Sequence, residues 1–198
     1  MDLGKNLQDS FNLYFKNFGI LFLATFVTAL LSSVTFGILA GPLAAGLLVL
    51  TLQLIQGEPG EFKEIFAHFD QFGPVFLLSL LFAAAMVVLF IVGLIPLIGW
   101  LVMLAIGPAL SLLYFLAAGQ IVIEKKPVIE AIQQAINHCT KTKEPLLIWV
   151  FVFVSSLLAG IGGILFGFGA ILTMPFGTAA MGIAYQQLTT AEPAVNEG

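Results

Sequence analysis

The chain has no arginine, a single cysteine (Cys139), two histidines (His68 and His138) and only 9% charged residues among 198. Each shortage excludes something. Planar, bidentate capture of phosphate belongs to arginine, and seven lysines against eleven acids leave a net charge of −4. No clustered basic face is available for nucleic acid. A lone cysteine forms no internal disulfide, so redox compartment is not legible. No CxxC, HxxH or HExxH spacing occurs, and adjacent His138 and Cys139 side chains would leave a helix roughly 100° apart. His68 and His138 hold loosely corresponding places in two polar segments and read as solvated surface residues. Catalytic patterns are missing as well: no GxSxG, no Ser-His-Asp set that the spans could assemble, no glycine-rich loop followed by a lysine, and no paired carboxylates in a cavity. The segment GIGGILFGFG (Gly160–Gly169) follows an apolar run and has no acid nearby, so it is not a dinucleotide fingerprint. Catalytic, cofactor-binding and metal residues are therefore all expected to be none, with no cofactor, and the chain is not expected to be an enzyme.

Scarce charge is also scarce wettable surface. A soluble domain carries roughly a quarter charged residues, whereas this chain is 60% hydrophobic, with a mean hydropathy of +1.07. What it has in abundance is long apolar runs, at 19–36, 38–56, 74–94, 97–121, 145–163 and 166–188. Each approaches or exceeds the ~20 residues a helix needs to cross ~30 Å of hydrocarbon. LLSLLFAAAMVVLFIV (Leu77–Val92) lacks the apolar–polar alternation of a barrel strand. The expectation is one integral membrane domain over 1–198 with six transmembrane helices. The opening MDLGKNLQDSFNLYFKN lacks the basic-then-apolar order of a signal peptide, so the first span is expected to be kept.

The charges lie on one set of connections. Lys5 and Lys16 precede the first run, Lys63 separates the second and third, and Lys125, Lys126, Lys141 and Lys143 separate the fourth and fifth. The alternate turns, around Gly37–Gly41, Gly93–Gly99 and Gly160–Gly169, carry none. This asymmetry predicts a multi-pass protein of the inner (cytoplasmic) membrane with both termini in the cytoplasm.

The chain also repeats itself. Pro42, Pro108 and Pro175 lie 66 and 67 residues apart, and Gln53, Gln120 and Gln186 follow them by 11 or 12. An acid and a proline come next: Glu58-Pro59, Glu124 with Pro127, and Glu192-Pro193. Such a period marks a duplicated unit, here about 1–57, 58–125 and 126–190 with a short polar tail 191–198. Each unit would be an amphipathic helix followed by a membrane hairpin. Leu3, Leu7, Phe11, Tyr14 and Phe18 share one face of the first polar segment. Phe62, Ile65, Phe66 and Phe69 do so in the second, and Val128, Ile132, Ala135, Ile136 and Cys139 in the third. These helices are expected to lie in the cytoplasmic interface, the alternative being a small cytoplasmic cap.

Small residues four apart (Gly37/Gly41, Ala40/Ala44, Gly163/Gly167, Gly169/Thr173, Ala180/Ala184) predict close helix packing, since lipid tails give no hydrophobic drive between helices. The three prolines are expected to set helix shape. The three glutamines are either a polar ring or ordinary interfacial residues. No Asp, Glu, Lys or His lies inside a predicted span, which argues against an ion-coupled pump.

At SFNLYFKNFG (Ser10–Gly19), FGILAGPLAAGLL (Phe36–Leu48) and MPFGTAAMGIAYQQL (Met174–Leu188) the chain resembles a broad group of prokaryotic six-helix membrane proteins of unknown function. They are similar to the membrane domain attached to some glycerophosphodiester phosphodiesterases. The resemblance implies the six-helix fold over most of the chain; without the catalytic domain's His/Glu/Asp metal site it implies no activity. The expected role is that of a non-enzymatic scaffold, assembly factor or accessory subunit of a membrane complex, with membrane lipids and other membrane proteins as partners. The alternative is a permease or lipid-handling protein for an apolar or amphiphilic molecule.

Overall fold

The structure, a computed structural model, describes residues 2–164 and 168–190, with side chains described outside 162–171. The predicted tail 191–198, with Glu192-Pro193, and Gly167 lie outside the described residues, and the packing at Gly163 and Gly169 falls in the stretch 162–171 whose side chains are not described. Among those described, every regular element is helical: α1 (Leu3–Lys16), α2 (Phe18–Val34), α3 (Ala40–Ile55), α4 (Glu64–Ala67), α5 (Phe72–Gly93), α6 (Ile98–Glu124), α7 (Val128–Lys141), α8 (Pro145–Ile164) and α9 (Phe168–Thr190), with a 3-10 turn at Phe69–Gln71.

Local chemistry sets the boundaries. The Asp2 carboxylate caps α1 by accepting from the Lys5 N–H at 3.1 Å. Phe36 and Gly37, at φ 51° and 85°, turn the chain between α2 and α3. Pro42 sits in the first turn of α3 and Pro145 opens α8, where a missing N–H costs nothing. Pro108 and Pro175 lie inside their helices, and each is followed three residues on by a hydroxyl that donates to its carbonyl. Those bonds, Ser111 to Pro108 and Thr178 to Pro175, are both 2.8 Å.

Two helical stretches, Glu64–Gly93 and Ile98–Glu124, are long and apolar enough to cross a membrane. Two bent pairs qualify when each is taken as one: α1 with α2, at 87°, and α7 with α8, at 109°. Helices of this kind make the chain a membrane protein. By length and composition, two to four spans qualify among the described residues. α3 has 16 residues, about 24 Å of helix.

The centre is formed by α3, α6 and α9, each of which touches the other two. Leu48 and Leu52, Leu116 and Ile121, and Ala180, Ala184 and Leu188 meet in one buried cluster. Two glycines permit close approaches between these central helices and their neighbours. A Cβ on Gly119 would stand 2.7 Å from Tyr185 Cζ, so α6 meets α9 there without one. A Cβ on Gly46 would stand 2.7 Å from the backbone carbons of Ile65, so that segment lies against the α3 backbone itself.

The three polar segments pack more deeply than an interfacial position alone requires. On α1 the buried residues are Asn6 and Ser10; Leu3 and Leu7 flank them against the core, while Phe11, Phe15 and Phe18 stay exposed. The face is thus rotated from the one the apolar spacing picks out. The reason is a reciprocal amide pair: Asn6 Nδ2 donates to Gln187 Oε1 at 3.0 Å, and Gln187 Nε2 returns a bond at 2.6 Å. The second segment forms one helical turn and a 3-10 turn, not a continuous helix. Ile65 is fully buried against Leu21, Leu47 and Leu50, and Phe66 is 39% exposed. α7 runs back along the C-terminal half of α6, burying Ala131 and Ala135.

Chains of rings follow the bends from polar segment to long helix. Phe18, Phe22 and Phe26 succeed one another at 5.5 and 6.2 Å, and Phe62, Phe66, Phe69, Phe72 and Phe76 at 5.7 to 6.2 Å. Ser79 and Tyr114, hydrogen-bonded at 3.1 Å, link α5 to α6 beside Gly41 near the start of α3. Beyond that level α5 and α6 continue for about 20 Å to their connecting turn. There Phe90, Leu94, Trp100 and Leu101 are exposed, and Leu97 is 82% exposed.

Candidate functional site: a polar knot beside an apolar groove

Where α6 ends, Lys125 adopts the left-handed conformation (φ 56°) and its N–H returns to the Gln120 carbonyl. This turn throws two lysines in different directions. Lys125 Nζ pairs with the Asp70 carboxylate at 2.5 Å, and Gln71 Nε2 donates to the same group at 3.1 Å. These bonds hold the Asp70 carboxyl below its usual range. Lys126 Nζ bonds Glu124, Gln134 (2.5 Å) and the buried Gln120 (3.1 Å). One short stretch therefore ties the 3-10 turn, α6 and α7 together. His68 lies at the edge of the knot; burial first, then the charge of Lys125, holds its imidazole below its ordinary value. Its Nε2 is buried without a hydrogen-bond partner.

On the other side of α7 a groove of about 180 Å³ opens between three helices. Ala109, Leu112 and Leu113 of α6 form one wall, Pro145, Ile148, Trp149 and Val152 of α8 another, and Cys139 of α7 closes it. Pro108 lies in α6 next to its wall of the groove. A proline gives no bond to the preceding turn and its ring opens that turn; Trp149 Nε1 donates at 2.9 Å to the Ala105 carbonyl there. That bond fixes the indole along the groove. Burial pushes the Cys139 thiol up to about 11, so at neutral pH it is a protonated thiol and a weak nucleophile or ligand. The groove is lined by apolar side chains, with the Cys139 thiol at its edge.

The residues singled out by sequence are dispersed. Gln120 is buried on Lys126, Gln53 and Gln186 are half-buried, and no hydrogen bond joins the three glutamines among the described residues. Among the described residues no group of three His, Cys, Asp or Glu is placed to hold a metal ion. Apolar periodicity missed the Asn6–Gln187 pair, although an Asn between Leu3 and Leu7 was a visible sign that the face seeks a polar partner. Comparison with family models, with curated proteins and with solved structures gives no match to this chain.

Proposed function

We propose that this chain is a non-enzymatic, six-span protein of the cytoplasmic membrane, with three helical hairpins packed around α3, α6 and α9. It acts as a scaffold, assembly factor or accessory subunit of a membrane complex. The observation that carries this reading is the contrast between its two halves. Around α3 and α9 the helices approach closely enough to need glycine, and buried positions are filled by side chains. The outer half of the α5–α6 hairpin turns large apolar side chains outward, with Trp100 74% and Leu97 82% exposed. A rigid body with one outward-facing apolar hairpin suits docking on another membrane protein. The near-right-angle bends at Asn17 and between α7 and α8, with aromatic rings at the first, support helices that leave the interface to enter the membrane. Both termini are cytoplasmic in this arrangement.

Topology is tested by cysteines placed at Gly37, Ile98 and Phe168, in a Cys139→Ser background, which label only from outside. Labelling of Gly37→Cys from the cytoplasmic side would remove α2–α3 as a crossing hairpin and overturn the six-span arrangement. The scaffold role is tested by a photo-crosslinking residue at Leu97 or Trp100 in native membranes. A discrete protein adduct that co-purifies in mild detergent supports it; adducts with lipid alone refute it. The apolar groove beside Trp149 favours the second reading, lipid handling, in that outcome.

A further inference from the structure

The groove between α6, α7 and α8 sits where α6 changes neighbours. From Ile98 to Ile106 the helix exposes Trp100, Leu101, Met103, Leu104 and Ile106, whereas from Leu112 onward its apolar side chains are largely taken up by the protein. That change marks the edge of the lipid-facing surface. The groove opens at this edge, and its lining ends at Cys139 on one side and Pro145 on the other. Between them the chain carries Lys141 and Lys143, both exposed and neither in an ion pair among the described residues. The one acid of this turn, Glu144, is already engaged in an interaction of its own. Leu146, one residue past Pro145, is 71% exposed and extends the apolar surface outward.

We propose that this is a binding site for one anionic phospholipid of the surrounding bilayer, with an acyl chain along Trp149 in the groove and the phosphate between Lys141 and Lys143. The apolar lining, about 180 Å³ between three helices, suits a stretch of acyl chain. The lining supplies no buried polar group to a headgroup, so the polar end of the ligand must lie at the mouth, where the lysines are. Each lysine beside an anionic lipid is worth about fivefold in affinity. The pair therefore prefers an anionic over a zwitterionic headgroup by about thirtyfold. The inference rests on the membrane reading above, not on the scaffold role.

The test uses the full chain with Trp100→Phe, which leaves Trp149 as its one indole, in phosphatidylcholine vesicles. Brominated phosphatidylglycerol or brominated phosphatidylcholine is titrated in as the quencher. The expected result is quenching of Trp149 at about thirtyfold lower mole fraction of the anionic lipid. With Lys141→Gln/Lys143→Gln the two curves come together, and Ala109→Phe, which fills the groove, reduces quenching by both lipids. Coincident curves in the parent, or an offset that survives the lysine substitutions, overturns the proposal. A chain that fails to float with the vesicles overturns the membrane reading and the site together, a result distinct from coincident curves.

Discussion

Gly46→Ala isolates the contact that holds the segment after α3. The new Cβ would stand 2.7 Å from Ile65 Cα and carbonyl carbon, and nearer still to its carbonyl oxygen. Carbon atoms at rest lie ~3.5–4.0 Å apart, so one backbone must move by about 1 Å. No flexible side chain is available to yield. Two responses compete. If the segment stays, it carries overpacking strain of about 1–3 kcal/mol. If it lifts, it forfeits the burial of Ile65, now fully enclosed by Leu21, Leu47 and Leu50, at about 1.5–3 kcal/mol. The lower cost wins, so destabilisation should fall near 1–3 kcal/mol. Gly160→Ala is the control: it lies inside α8 with open space around it, and should be neutral or stabilising by about 0.5–1 kcal/mol. Thermal unfolding in detergent reads the cost, and limited proteolysis between Gln56 and Phe72 reports whether the segment has lifted. Equal melting and equal protease resistance for the two variants would refute the Gly46–Ile65 apposition.

Three other outcomes follow from the same geometry. Asn6→Ala strands the Gln187 amide and should cost about 1–3 kcal/mol, while Asn6→Leu/Gln187→Leu should recover much of it; additive losses in a double-mutant cycle of melting curves would show that the amides do not pair. Burial holds the Cys139 thiol near 11 against an ordinary 9.0, so its alkylation rate should keep rising with pH past 9; a plateau near 9 would place it in water. His68, held below 6.5 by burial and then by Lys125, binds fewer protons folded than unfolded. Its contribution to stability is complete above 6.5 and falls as pH drops through that value. Lys125→Gln should raise its midpoint in ring-proton NMR without restoring the ordinary value, since burial is the larger cause; an unchanged midpoint would deny the charge coupling.

Much of the architecture is legible in one dimension. Lys125, for example, sits at a chain reversal that the run Ile121–Val122–Ile123 followed by Glu124, Lys125, Lys126 and Pro127 announces, and α6 ends at Glu124. Ala180 and Ala184, four apart, are both buried against neighbours, as their spacing predicts. The second polar segment was less legible. Its spacing of Phe62, Ile65, Phe66 and Phe69 is compatible with a helix on a membrane surface, and nothing local says that Gly46, lying before it in the chain, offers bare backbone for Ile65. The groove was invisible for the same reason. Cys139, Trp149 and Ala109 have no pattern in common, and Ala105 accepts from Trp149 only because α8 crosses α6 beside Pro108.

The amino-acid sequence by itself determined that this chain belongs to an apolar phase, that it is helical there, and roughly where each apolar helix begins and ends. Those properties are sums over neighbouring residues: transfer free energy per side chain, the 3.6-residue period, and the punctuation of Gly and Pro. Only the tertiary structure decided which way α1 turns its faces, where the second segment wedges, which charges pair at the end of α6, and that α6, α7 and α8 leave a groove between them. Those depend on distances between helices far apart in the chain, set by where a missing Cβ lets backbones close and where a buried amide or carbonyl finds its partner.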